Sequence, residues 1–150
     1  MSPFRRFSHS PFQIESIPIK KFAIYWLPVI IYCGAIFIQS SFPATGQYPV
    51  SFSDKILHFT AYALLGILFF RALRTLAIRK RTRLTALLSV MLASLYGLSD
   101  EIHQYFVPLR HADMLDWLAD VIGSICGVLL YLYIIRRRGA HSETIHGLTK

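Results

Sequence analysis

Three groups of ionisable side chains in this sequence are spaced for chemistry. Asp54, His58 and Tyr62 stand four residues apart, so on a helix they form one stripe. Asp100, Glu101 and Gln104 share one side of a second helical run with Tyr96 and Gly97. Asp113, Asp116 and Asp120 fall within an arc of about 80° on a third, at 3.6 residues per turn. Between the last two groups stands Arg110. Carboxylates and an imidazole brought together could move protons as general acids and bases. Mixed Asp, Glu and His ligands also suit Mg²⁺, Mn²⁺ or Zn²⁺, with His58, Asp100, Glu101 and Asp116 the candidate ligands. The cofactor this points to is a divalent cation. Arg110 would either pair with Asp113 or Asp116 or grip an anion.

The elements carrying these groups are apolar. The uncharged run Val121–Ile135 is 15 residues, whereas a membrane span needs about 20. The fourth helix must therefore begin near Leu115 and draw Asp116 and Asp120 to the membrane boundary. Three further segments have comparable length: Phe22–Ser41, Ile56–Leu73, and Leu84–Ser99 extended through Gln104. Pro28 predicts a kink in the first, which is expected to persist as a helix rather than act as a cleaved signal. With 54% hydrophobic and 16% charged residues among 150, the chain is poorer in charge than a water-soluble domain, which carries about 25%. Cys33 and Cys126 lie mid-segment and are expected as free, buried thiols. His103 and His111 are expected in exposed loops, and Asp113 at the start of the fourth helix.

Charge sorts by connection. Of 16 basic residues only Lys55 and Arg110 fall on the side where Asp54, Asp100, Glu101, Asp113, Asp116 and Asp120 gather. Basic residues stay cytoplasmic, so both termini and the Arg-rich middle connection are expected inside. The formal charge of +8 thus reports topology and contact with anionic lipid. No aromatic-interleaved groove accompanies it, and nucleic acid is not an expected partner. Polar stripes on three helices, all at the outer end, cannot face lipid and should converge on one pocket. Gly123 and Gly127 continue the aspartate face as a small-xxx-small pair, favouring close packing within the chain.

The order Asp54-Lys55-x-x-His58-Phe59-x-x-Tyr62, then Gly97-x-x-Asp100-Glu101-x-x-Gln104, then Arg110-x-x-Asp113-x-x-Asp116-x-x-x-Asp120-x-x-Gly123, resembles the VanZ-like family. Asp120 stands where that pattern carries Asn, adding a carboxylate. The resemblance implies a bacterial inner-membrane protein with an envelope role related to resistance to the glycopeptide teicoplanin. It supplies no reaction.

The expected fold is all-α: a four-transmembrane-helix bundle over 22–135, with cytoplasmic tails 1–21 and 136–150, the latter polar and loose. The candidate site comprises Asp54, His58, Asp100, Glu101, Gln104, Arg110, Asp116 and Asp120. The expected partners are the bilayer and an envelope lipid or lipid-linked peptidoglycan precursor. Two alternatives stay open: an enzyme acting on a lipid or lipid-linked substrate at the outer leaflet, and a proton- or cation-coupled transporter. No Ser/His/Asp or Cys/His nucleophile arrangement accompanies the first. The second lacks an ionisable station in the inner halves of the segments.

Overall fold

In the computed structural model, which describes residues 19–43 and 52–148, the chain is an all-helical bundle. Helix α1 (Ile19–Tyr25) and helix α2 (Leu27–Ser41) are nearly continuous, parted only at Trp26. Pro28 lies in the first turn of α2, where a missing N–H costs nothing. The Trp26 N–H still reaches the Phe22 carbonyl at 2.8 Å and the Ile30 N–H the Trp26 carbonyl at 3.1 Å, so backbone hydrogen bonding continues across the break. The interruption falls two residues before the proline. Helix α2 stops at Phe42, which is extended as a residue before proline must be.

Helix α3 (Phe52–Leu73) leads through a 3₁₀ turn (Ala77–Lys80) into α4 (Thr82–Tyr105). A short connection then reaches α5 (Met114–Leu148). In that connection the Arg110 N–H closes a turn onto the Val107 carbonyl at 3.2 Å, with Pro108 and Leu109 as its central residues. Leu109 has φ 65°, the left-handed value such a turn demands after proline. Helix α5 runs on to Leu148, correcting the expectation of a loose tail after Arg138: the helical backbone simply continues past the basic triplet.

Four helices, Ile19–Ser41, Ser53–Leu73, Thr82–Tyr105 and Met114–Gly139, are long and apolar enough to cross a membrane. Their outward surface is a belt of large apolar side chains, among them Ile31, Phe37, Leu87, Leu95, Ile122 and Leu129. A belt of this extent is what hydrocarbon covers and water does not. Cys126 lies in this exposed surface and Cys33 is half-buried; both are free, so only the absence of a disulfide accords with the expectation.

Helix α3 is the central post. Gly123 and Gly127 of α5 sit directly on it, and a Cβ at either position would overlap the backbone carbonyl of Phe59 or Ala63. From the other side Gly66 faces the Ser124 backbone, where an added Cβ would lie 2.9 Å from the carbonyl oxygen. The small-residue stripe is therefore a crossing within the chain, as its alignment with the aspartates predicts. Tyr62, Leu65 and Ala93 form the core beside it, with Tyr32, Ile36 and Phe69 packed around them.

Candidate functional site at the acidic end

The helix ends at Ser41, Asp54, Gln104 and Asp116 all meet at one end of the bundle. The side chains there divide into three arrangements. The outermost is an ion-pair rim. Lys55 Nζ bridges Asp113 Oδ2 and Asp116 Oδ1, each at 2.8 Å, and so ties the start of α3 to the start of α5. Asp113 also caps α5, accepting the Leu115 N–H at 2.9 Å. The Lys55 ammonium, followed by that N–H, holds the Asp113 carboxyl below the usual carboxylate range. Lys55 thus takes the partners expected for Arg110. It stands one turn before His58 on the polar stripe of α3, a spacing that could have identified it.

The second arrangement is a clamp. Arg110 turns away from the aspartates, donating from Nη2 to the Gln39 carbonyl at 2.9 Å and from Nε to the Phe42 carbonyl at 3.0 Å. Its Nη1 lies 3.5 Å from Gln104 Oε1. Orphan carbonyls ending α2 attract a cation, whereas Asp113 and Asp116 are already neutralised by Lys55. Gln104 Nε2 donates to Asp100 Oδ2 at 3.0 Å, and the Ser40 hydroxyl donates to Asp100 Oδ1. Asp100, Gln104 and Arg110 therefore form one chain joining α2, α4 and the following turn. Nothing in the spacing of Ser40 pointed to it. His103 belongs to α4 rather than a loop, with Nε2 3.0 Å from the Ser41 hydroxyl and its ring against Phe37.

The third arrangement is the buried centre. His58, Glu101 and Asp120 come from α3, α4 and α5, and each exposes 9% or less of its surface. His58 Nδ1 lies 3.0 Å from Asp120 Oδ1. An ionised Asp120 carboxylate accepts from Nδ1–H in this contact. Glu101 Oε2 accepts the Asp113 N–H at 2.9 Å, fastening the centre to the cap of α5. The other oxygens, Glu101 Oε1 and Asp120 Oδ2, are buried with no hydrogen-bond partner among the described residues, and so is the Tyr62 hydroxyl. Gly97 makes this packing possible: a Cβ there would stand 2.6 Å from Asp120 Oδ2 and 3.1 Å from the Tyr62 ring. The Tyr62 ring lies parallel to His58, with centroids 6.3 Å apart.

One ligand atom each from His58, Glu101 and Asp120 falls within 4.8 Å of the others, a spacing a metal ion can bridge. Asp54, His58 and Asp116 form a second such group nearer the rim. The buried group fits a divalent cation better. Two of its oxygens lack partners, while Asp116 in the outer group already holds the Lys55 ammonium. Asp100, a candidate ligand by sequence, lies outside both groups and is engaged by Ser40 and Gln104.

Fold and site together define a multi-pass membrane protein with ionisable groups from three spans packed at one end. The chain belongs to the VanZ/LLP1 family, whose model matches residues 3–136. It is 29% identical over 117 residues to an uncharacterised protein of the fission yeast Schizosaccharomyces pombe, covering 78% of this chain and 70% of that one. No solved structure matches it.

Proposed function

We propose that this protein holds a divalent cation at His58, Glu101 and Asp120, and through it binds the polar head of a lipid or lipid-linked molecule in the cell envelope. The observation that carries the reading is the pair of buried, unpartnered carboxylate oxygens, Glu101 Oε1 and Asp120 Oδ2, beside the His58 imidazole. Burying a carboxylate without compensation costs several kcal/mol, and a bound cation removes that cost. Oxygen and imidazole ligands suit Mg²⁺, Mn²⁺ or Zn²⁺. A cation so placed would attract a phosphate or carbonyl oxygen that a bare acidic cluster repels.

The charge asymmetry supports an acidic end on the outer face of a bacterial inner membrane, with both termini inside. The family resemblance adds an envelope setting, with altered teicoplanin tolerance as the phenotype to measure. Likeness to a yeast protein favours a head-group chemistry common to membranes at large over one confined to peptidoglycan. Metal analysis of the purified full chain tests the reading. We expect a stoichiometric divalent ion, lost in Glu101→Gln and in Asp120→Asn, which should weaken binding more than the 10- to 100-fold typical of outer-shell changes. Metal-free protein whose thermal stability ignores added Mg²⁺, Mn²⁺ and Zn²⁺ would sink it.

A second reading, a hydrolytic membrane enzyme, draws on the His58–Asp120 pair, which has the geometry of a base held by its orienting carboxylate. Envelope lipid profiles unchanged by His58→Gln would count against it. Transport has less support. Away from the acidic end the buried polar side chains among the described residues are the hydroxyls of Thr85, Ser89 and Ser124, which offer no titratable relay.

A further inference from the structure

The opposite end of the bundle has a cavity of about 340 Å³ between α1, α3, α5 and the 3₁₀ turn. Its cationic lining is Lys21 from α1, Arg71 from the end of α3, Arg74 just beyond it, and Arg79 from the 3₁₀ turn. Tyr25 and Tyr131 supply the aromatic walls. We propose that this cavity binds a phosphate group, and specifically that it seats the phosphate of an anionic phospholipid at the bilayer boundary.

Charge is the first support. Among the described residues the ion pairs are those of Lys55 and His58 at the other end, so no carboxylate neutralises Lys21, Arg71, Arg74 or Arg79. Arginine cannot shed its proton to relieve the repulsion, as a lysine can, so the charge calls for an anion. Arginine is also the side chain whose planar fork matches phosphate oxygens in pairs. Construction is the second support. The Arg71 guanidinium lies 5.7 Å from the centroid of the Tyr25 ring, a cation–π contact that restrains it at the mouth of the cavity. Tyr131 is held edge-on by Phe70, with centroids 5.9 Å apart. Thr75 is fixed between the Trp26 indole N–H at 3.3 Å and the Ala72 carbonyl at 2.6 Å. Arg71, Tyr131 and Thr75 are thus held in place, while Lys21, Arg74 and Arg79 reach the cavity from exposed positions.

Place is the third. Arg71 sits in the last turn of a span, at the depth where phosphates of the leaflet lie, and basic hollows between spans are where anionic head groups lodge. The volume falls within the range of small-molecule sites, enough for a phosphate and part of its ester substituent.

Lipid retention by the full-length protein tests this. The chain is purified in neutral detergent and exchanged with phosphatidylglycerol or phosphatidylcholine, and bound lipid is counted by native mass spectrometry. We expect selective retention of phosphatidylglycerol, weakened at least tenfold in Arg71→Gln/Arg74→Gln. It should be partly restored in Arg71→Lys/Arg74→Lys, which returns the charge without the planar fork, and kept in Arg136→Gln/Arg138→Gln, which removes the same charge outside the cavity. Displacement of the lipid by millimolar inorganic phosphate would show that the phosphate alone is recognised; resistance to it would show that the acyl chains add to the hold. Equal retention of phosphatidylcholine, or equal loss in the Arg136/Arg138 variant, overturns the proposal. If the Gln variant unfolds, the Lys variant and the surface control still decide between a built cavity and general attraction.

Discussion

At one end of this bundle acids are buried and largely partnered; at the other, bases surround an open cavity and form no ion pair among the described residues. The acidic end binds its helices together through those groups. Lys55 bridges α3 to α5, Arg110 fastens α2 to the turn after α4, and Glu101 accepts from the cap of α5. Only inside, at Glu101 Oε1 and Asp120 Oδ2, does compensation stop. At the basic end the helices are joined by aromatic, hydroxyl and cation–π contacts instead, the last of these between Arg71 and Tyr25. The difference follows from the side chains. Carboxylates and imidazole are compact and can be satisfied at short range inside a bundle, whereas long guanidinium side chains reach for the interface. One end should thus respond to cations and the other to phosphates.

The largest expected effect falls on the frame both ends share. Gly127→Leu would drive a side chain into the Ala63 carbonyl, which cannot yield without separating α3 from α5. We expect a loss of about 3 kcal/mol or more in detergent unfolding, with cation and lipid responses lost together. Survival of either response would show that the two ends are held independently.

Arg110→Ala should cost about 1.5–3 kcal/mol, the usual worth of hydrogen bonds to a charged donor, by freeing the carbonyls of Gln39 and Phe42. Lipid retention at the basic end should be untouched. A matching loss there would mean the acidic end sets the whole bundle.

Glu101→Gln should act in the other direction. Replacing a carboxylate whose Oε1 has no partner should stabilise the metal-free protein by about 1–3 kcal/mol while abolishing any cation-induced rise in Tm. A destabilised metal-free variant would place Glu101 with the clamp residues rather than in a binding centre.

The smallest effect concerns pH. Because the Asp113 carboxyl is held below its usual range by Lys55, its contribution is full above the ordinary carboxylate pKa and lost as pH falls through the lowered one. The pair is partly exposed, so the contribution is at most about 1 kcal/mol. The fall in Tm on acidification should be shallower in Lys55→Gln, and identical slopes would mean that Asp113 draws nothing from Lys55.

The number of spans, the acidic end and the close-packing face of α5 were all legible before any coordinates, though not which helix that face would meet. Hydrophobic runs report spans directly, four-residue spacing reports a shared face, and Gly123 and Gly127 lie on the face of Asp116 and Asp120. Partner choice was not legible. Arg110 was expected either to pair with Asp113 or Asp116 or to grip an anion; it closes carbonyls at the end of α2, while Lys55 has already neutralised both aspartates. Asp100 was expected beside His58 but belongs to Ser40 and Gln104, while adjacent Glu101 turns to the centre. Neighbours on a helix point about 100° apart, and which of them faces a given partner depends on how the helices are rotated.

By itself the chain dictated a four-span helical membrane protein with acids at one end and arginines at the other, since bilayer thickness and hydrocarbon's intolerance of charge act on any sequence through composition and period. Tertiary structure alone decided which carboxylates are satisfied and which are left over, and that four scattered cations line one hollow. Those outcomes depend on distances of a few ångströms between separate helices, set by where glycines let backbones touch.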